Sequence, residues 1–498
     1  MTKTAALLAL DQGTTSSRAI VFDLSGHVVA QAQREFDQIY PRPGWVEHDP
    51  EVIWATILST AREALRDAHA KGYAAEAIGI TNQRETTLIW DRRTGEALAN
   101  AIVWQDRRTA EACAELQSAG HADLVQARTG LVLDPYFSAT KIAWLLDAIP
   151  NGRQRAEAGE LAFGTVDSWL IWRLTGGRVH ATDATNASRT SLYNLETGDW
   201  DADMLDLFQV PAALLPKIRD CADHFGDSDE ALFGVALPIT GVAGDQQAAT
   251  IGQACFEPGE MKSTYGTGAF MLLNTGQEKR LSRHRLLTTL AYRLDGVSTY
   301  ALEGSVLSAG ATIQWLRDGL GLIAQARDVE ALAAGADPDS GVYLVPAFTG
   351  LGAPHWDAQA RGAIIGLTRG SSAAEIAQAA LDSVAHQTCD LLEAMQGDGA
   401  MPVRLKVDGG MARNNRLLQR MSDLTTMEVV RPVNTETTAW GAAFLAGLGA
   451  GLFASLEDGR AVWSADKSFS ADMPEDRRLA LRAGWSDAIS RVSAGAQT

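Results

Sequence analysis

The stretch Asp11-Gln12-Gly13-Thr14-Thr15-Ser16-Ser17-Arg18 sets a carboxylate, a glycine, a run of hydroxyls and a guanidinium side by side. Gly13 lets backbone N–H groups approach an anion closely, Thr14, Thr15 and Ser16 add hydroxyl donors, and Asp11 can hold a magnesium ion through water. Apolar runs at 7–10 and 19–22 flank the turn, so the segment reads as strand, turn and strand, a hairpin suited to phosphate. It is not a P-loop, whose glycine-rich turn opens a helix and carries Gly-Lys-Ser/Thr. An ordinary hairpin with good turn residues is the alternative that this segment alone leaves open.

A second turn of the same kind, Gly266-Thr267-Gly268, lies between strands expected at 261–265 and 269–273, and Val407-Asp408-Gly409-Gly410 makes an apolar-to-glycine step further on. Two such turns on separate lobes suit a nucleoside triphosphate gripped between them, the arrangement of actin-like ATPases. Asp245 stands where a strand over 237–243 passes into an Ala-rich helix. It is either the cap of that helix or a carboxylate placed to take a proton from an attacking hydroxyl. Arg84 and Glu85 are adjacent at the end of another strand. They are either a surface charge pair or a donor and an acceptor for neighbouring hydroxyls. Successive strand residues point to opposite faces, so both reach one ligand only if the backbone there is irregular.

The elements that must position these residues follow from pattern. Asp23-Leu24-Ser25-Gly26 turns the chain into a third strand at 28–32, giving a three-stranded antiparallel meander. Asp49-Pro50 then caps a helix whose apolar stripe runs to Lys71-Gly72, followed by strands at 77–80 and 86–90. This is the ribonuclease H-like pattern. The second half repeats it, with strands at 286–292 and 297–303 around Asp295-Gly296 and a helix over 308–320. Ser372 and Glu375 form a capping box for a helix running through Met395, and another helix follows Gly410. Gly252, Pro258 and Gly259 break the pattern between the halves. The expected organisation is an N-terminal domain at 1–252 and a C-terminal domain at 253–498, of α/β class, with the active-site cleft between them. Residues from Pro474 onward read as a terminal amphipathic helix with Leu479, Leu481, Trp485 and Ile489 on its apolar side.

At 498 residues, with 43 Lys+Arg against 61 Asp+Glu and a net charge of −18, the chain has no basic run and does not suit nucleic acid. An anionic ligand must therefore be held locally, by backbone amides, a few basic side chains and a cation. Cys113, Cys221, Cys255 and Cys389 lie far apart and form no CxxC pair, so neither a disulfide framework nor a zinc site is expected. The start of the sequence lacks a signal-peptide pattern and no run is long enough to span a bilayer, so the expected location is the cytoplasm, with no membrane insertion.

With these residues in view the chain resembles the FGGY family of carbohydrate kinases, in the actin-like ATPase superfamily, from about residue 6 to about 450. The resemblance is carried by 10–18, Gly44-Trp45-Val46-Glu47-His48-Asp49-Pro50, 79–87, Asp134-Pro135-Tyr136-Phe137-Ser138, Gly244-Asp245-Gln246-Gln247, 264–270, 347–354 and 407–410. It implies ATP and magnesium, with transfer of the γ-phosphoryl group to a small polyol, glycerol foremost. Asp245 would be the base and, with Asp11, a magnesium ligand. Arg84, Glu85, Tyr136, Asp245 and Gln246 would bind the polyol, with Trp104 and Phe270 as an apolar wall. Thr14, Thr15, Ser16 and Arg18 would meet phosphate, with Thr267 and Gly268 opposite. Gly310, Gln314, Gly410 and Asn414 would surround the γ-phosphate and adenosine. A homodimer or homotetramer is the assembly that the resemblance implies.

Two alternatives remain at this point: an FGGY kinase for a pentulose or sugar acid, and an actin-like switch or chaperone ATPase whose product is a conformation. One departure stands out. Some members bind an inhibitory sugar bisphosphate through a basic, glycine-rich loop, where this chain has Gly226-Asp227-Ser228-Asp229-Glu230-Ala231-Leu232-Phe233-Gly234. That segment carries acid where the ligand needs base.

Overall fold

Strict alternation along the first strand builds the first lobe. Ala6, Leu8 and Leu10 enter one apolar cluster, while Leu7 and Ala9 enter another on the opposite face, so the sheet is buried on both sides. The computed structural model describes residues 3–357 and 359–494; the outer ends of the two expected domains, 1–2 and 495–498, lie outside them.

Strands β1 (Thr4–Gln12), β2 (Ser16–Asp23) and β3 (Val28–Glu35) form the antiparallel meander. Asp49 caps α1 (Pro50–Ala70) by accepting the Glu51 N–H at 2.8 Å, and Ile53, Ile57, Ala61 and Ala64 of that helix pack on the Leu8 face. Strand β4 (Tyr73–Asn82) then pairs parallel with β1. An excursion through 83–238 builds its own apolar cluster before the chain returns as β5 (Ile239–Gly244), parallel to β4, and enters α2 (Asp245–Gly252). The sheet order is β3-β2-β1-β4-β5.

The second lobe repeats this topology. Its strands are β6 (Glu260–Tyr265), β7 (Ala269–Gly276), β8 (Leu287–Leu294) and β9 (Val297–Val306). Helices α3 (Gly310–Asp318) and α4 (Ala373–Gly397) follow, and the Ser372–Glu375 capping box opens α4 as expected. Next come β10 (Arg404–Asp408), α5 (Asn415–Thr425), β11 (Val429–Pro432), α6 (Thr437–Gly449), β12 (Ala465–Phe469) and α7 (Glu475–Ala494). The order is β8-β9-β7-β6-β10-β11-β12. Within it β9-β7-β6 is antiparallel and β6-β10-β11 is parallel, the same scheme as in the first sheet.

Helix α6 belongs by sequence to the second lobe but packs on the first. It crosses back onto the first sheet, where Ala439, Trp440, Ala443 and Phe444 join Leu7, Ile20 and Phe22 in one cluster. Glycine makes the approach possible. A Cβ at Gly79 would strike the Ala442 carbonyl group, and one at Gly441 would strike the carbonyl of Ala248 in α2. Thr240 of β5 donates to the Ala446 carbonyl at 2.8 Å, fixing the register of helix on sheet.

The terminal helix corrects one expectation. Trp485 and Ile489 are buried, but Leu479 is 53% exposed. The buried stripe is Trp485, Ala488, Ile489 and Val492, and Leu479 falls off it by helical phase. All four cysteines are buried and free, and among the described residues no helix is long and apolar enough to cross a membrane.

Candidate active site

Parallel strands β1, β4 and β5 end at one edge of the first sheet, which brings Asp11, residues 83–85 and Asp245 together. Strands β6 and β10 do the same for 266–268 and 409–410 in the second lobe.

The Arg84–Glu85 pair is not a surface feature. Both residues are buried, and the backbone is irregular as two-sided access requires, with Glu85 at φ +60°. The Glu85 carbonyl accepts from Thr87 Oγ1 at 2.9 Å and from Ser138 Oγ at 3.0 Å, which holds this conformation. The two side chains do not pair with each other. Arg84 makes a two-pronged contact with Glu303, at 2.7 and 3.1 Å, and its Nε lies 3.2 Å from Asp245 Oδ1. Glu85 Oε1 accepts from Arg189 Nε at 2.7 Å, leaving Oε2 without a partner among the described residues. Burial pushes the Glu85 carboxyl up, opposed by Arg189 and Arg84. Arg189 and Arg84 hold the Glu303 carboxyl below the usual range despite its burial.

An aromatic wall surrounds this pair. Trp104 meets Tyr136 and Phe270 edge-on, with ring centroids at 5.7 and 6.1 Å, and the Tyr136 hydroxyl is 3.4 Å from Arg84 Nη2. Trp104 Nε1 also donates to Thr14 Oγ1 at 3.0 Å, so the wall and the first turn are in direct contact.

Asp245 is the first residue of α2, but its side chain does not cap the helix; its Oδ1 accepts the adjacent Gln246 N–H at 2.7 Å. The side chain is 32% exposed, Oδ2 has no partner among the described residues, and burial pushes the carboxyl up against the pull of Arg84 and Lys262. The Gln246 amide oxygen accepts from Lys262 Nζ, which also donates to Thr264 Oγ1 at 3.1 Å.

At the first turn, Gly13 N–H bonds to the Ser16 carbonyl at 2.9 Å, and the Thr14 and Thr15 amides have no acceptor among the described residues. Arg18 is engaged with Asp11 Oδ2 at 2.5 Å and with Glu436 at 2.6 Å. At the second turn the Thr267 carbonyl accepts from the Ala309 and Ala311 amides at 2.9 and 3.0 Å, which fixes α3 behind it. The Thr267 and Gly268 amides have no acceptor among the described residues. A Cβ at Gly310 would run into the Gly266 carbonyl, so this glycine is required for packing whatever else it meets. Gln314 is exposed on α3, and Gly410 faces open space. Asn414 caps α5, its Oδ1 accepting the Leu417 N–H at 2.9 Å, which leaves its amide nitrogen for a ligand.

Among the described residues no group of three or more His, Cys, Asp or Glu side chains could hold a metal ion. The donor set is two carboxylates, Asp11 and Asp245, each with one uncommitted oxygen. That fits magnesium, which keeps most of its ligands as water and phosphate.

Arg189, Glu303 and Lys262 are the members that motif reading passed over. Each is a charged residue within or beside an apolar buried segment, a placement that demands a counter-charge and is itself the signal.

The sequence patterns of the FGGY family of carbohydrate kinases match the chain twice, the N-terminal domain over residues 6–252 and the C-terminal domain over 261–450. Among curated relatives, glycerol kinase of Rhodospirillum centenum is 62% identical over 490 residues, covering 98% of each chain. Glycerol kinase of Alcanivorax borkumensis is 60% identical over 487 residues, again covering 98% of each. Among solved structures, Plasmodium falciparum glycerol kinase with ADP superposes with a TM-score of 0.92 at 36% identity, covering 98% of both chains.

Proposed function

The chain belongs to the FGGY family of carbohydrate kinases, and from that premise we infer that it transfers the γ-phosphoryl group of ATP to glycerol, giving sn-glycerol 3-phosphate. The observation that carries this reading is the convergence, at the end of the first sheet's parallel strands, of a buried donor–acceptor pair and a carboxylate with a free oxygen, faced by an aromatic wall drawn from both lobes.

Arg84 Nη1 has one N–H left after Glu303 is served, and Glu85 has one oxygen left after Arg189. Together they satisfy a donor and an acceptor of neighbouring hydroxyls, while Trp104 and Phe270 exclude water from the carbon chain and keep the pocket narrow. Asp245 takes the proton of the attacking hydroxyl, and Gln246 orients the polyol. The free amides of the first turn meet phosphate from one lobe and those of Thr267 and Gly268 from the other. Asp11 and Asp245 would hold a magnesium ion through water, and such an ion would neutralise charge on the phosphates. Polyol binding falls to the N-terminal domain, 1–252, with Phe270 closing the wall from the other side, and adenosine binding to the C-terminal domain, 253–498, with α6 exchanged across the division. A cytoplasmic location, which rests on the sequence pattern, and a homodimeric or homotetrameric assembly, which rests on the resemblance, complete the reading.

A coupled assay with a polyol panel tests it. ATP consumption should require an added small alcohol and be fastest on glycerol. Faster turnover of a pentulose or sugar acid would redirect the substrate, and consumption with no alcohol present would favour a switch ATPase.

Two further results are expected. Burial lowers the Lys262 ammonium to about 8, with Asp408 and Asp245 pulling it back. Below that pH it is charged and orients Gln246; above it the charge is lost, so kcat/KM for glycerol should fall as pH rises through about 8. Lys262→Arg keeps the charge and should flatten this limb, and an unaltered limb would clear Lys262 of responsibility. The segment 226–234 is the other case. Asp229 caps a single helical turn there, and Arg178 is engaged by the Asp227 carbonyl at 3.0 Å. Asp227, Asp229 and Glu230 would repel a sugar bisphosphate, so millimolar fructose 1,6-bisphosphate should leave activity unchanged. Saturable inhibition relieved by substitutions in this segment would refute that.

A further inference from the structure

We propose that Glu303, carried by β9 of the second lobe, is the positioning residue that sets the polyol clamp of the first lobe, acting through Arg84 and Arg189. The proposal rests on the reading of the cleft as a glycerol kinase site and names a residue that this reading leaves without a role.

Glu303 is wholly buried, and both of its oxygens are taken by guanidinium groups of the opposite lobe. Oε2 accepts from Arg84 Nη1 at 2.7 Å, and Oε1 accepts from Arg84 Nη2 and Arg189 Nη2, each at 3.1 Å. Arg189 is equally buried, stacks over Phe137 at 5.3 Å, and has an Nη1 with no acceptor among the described residues. The cluster thus holds two guanidinium groups side by side in a site that water does not reach. Their charge needs an anion, and the alternatives to Glu303 are Glu85 and Asp245, the two carboxylates whose remaining oxygens the substrate requires.

With Glu303 in place, Arg189 spends only Nε on Glu85, and Glu85 Oε2 stays open. Without its charge, the Arg189 fork is free to close side-on over both Glu85 oxygens, the favoured geometry for such a pair. Arg84, relieved of its two-pronged partner, is likewise drawn onto Asp245. The clamp would fill itself. Because Glu303 comes from the second lobe, the clamp is correctly set only when the two lobes meet.

Steady-state kinetics and melting of Glu303→Gln test this, since glutamine keeps the shape and one acceptor while removing the charge. The expected result is a KM for glycerol raised at least about tenfold, with the KM for ATP within about twofold of wild type and folding retained. Arg189→Lys should show the same split, and the double variant should be little worse than the worse single one, because both act through Glu85. A folded Glu303→Gln with unchanged glycerol KM would overturn the proposal, as would equal increases for both substrates. Failure of both single variants to fold would assign the cluster to stability and overturn it too. Absence of glycerol turnover in the wild-type protein would instead remove the reading on which the proposal stands.

Discussion

Asp245→Asn is expected to lower kcat by about 10²–10⁴, the range for a removed acid–base group. Asparagine is isosteric, its carbonyl oxygen can still accept the Gln246 N–H, and Arg84 keeps its two-pronged contact with Glu303. What disappears is the free oxygen Oδ2 as a proton acceptor and one of two carboxylates facing the phosphates. Phosphoryl transfer is loose, so the base contributes through position and charge more than through strength. Because burial raises the Asp245 carboxyl, the acid limb of the wild-type rate profile should lie above the ordinary carboxylate range: activity is present above it and lost as pH falls through it. That limb should vanish in the variant. Near-native kcat in purified, folded Asp245→Asn would remove the residue from the mechanism.

Arg84→Ala carries the second large effect. A hydrogen bond to a charged group contributes about 1.5–3 kcal/mol, so its loss should raise the KM for glycerol well over tenfold while leaving that for ATP nearly unchanged. The partners left short are Glu303, which retains Arg189, and Asp245, which loses its ion pair at 3.2 Å; Glu85 has its own cation in Arg189 and is not stranded. Stability should fall by about 1–3 kcal/mol, the cost of leaving a buried group short of its partner, measurable as a lower melting temperature. An ATP KM that rises while the glycerol KM stays put would place Arg84 on the nucleotide side.

Much of this site was readable before the structure, because its parts are local. A glycine and hydroxyls between two apolar runs identify the turns at 13–16 and 266–268. Alternation gives the strands, and Asp49-Pro50 and Ser372-Glu375 give helix starts. The conflict between strand geometry and two-sided use of Arg84 and Glu85 pointed to an irregular backbone, and Glu85 has one. What stayed hidden is what depends on distant pairing. Which acid answers Arg84 is decided by residue 303, more than two hundred positions away. Glu85 and Asn414 show the same limit in small: the first takes its cation from the excursion through 83–238, and the second spends half of its amide on a cap. The exposed Leu479 marks the opposite error, an apolar residue counted into a stripe that only the docked helix defines.

The return of α6 to the first sheet has a consequence for the birth of the molecule on the ribosome. The sheet formed by residues 4–244 has its second face uncovered until residues 437–449 emerge, so the Leu7, Ile20 and Phe22 side of that sheet waits for nearly the entire chain. Such sequence-distant closure slows folding and leaves apolar surface open to wrong partners in the interval. Synthesis that stops short of residue 449 would leave a nascent first lobe without its lid of alanines, a natural substrate for chaperones and proteases, however complete its catalytic residues.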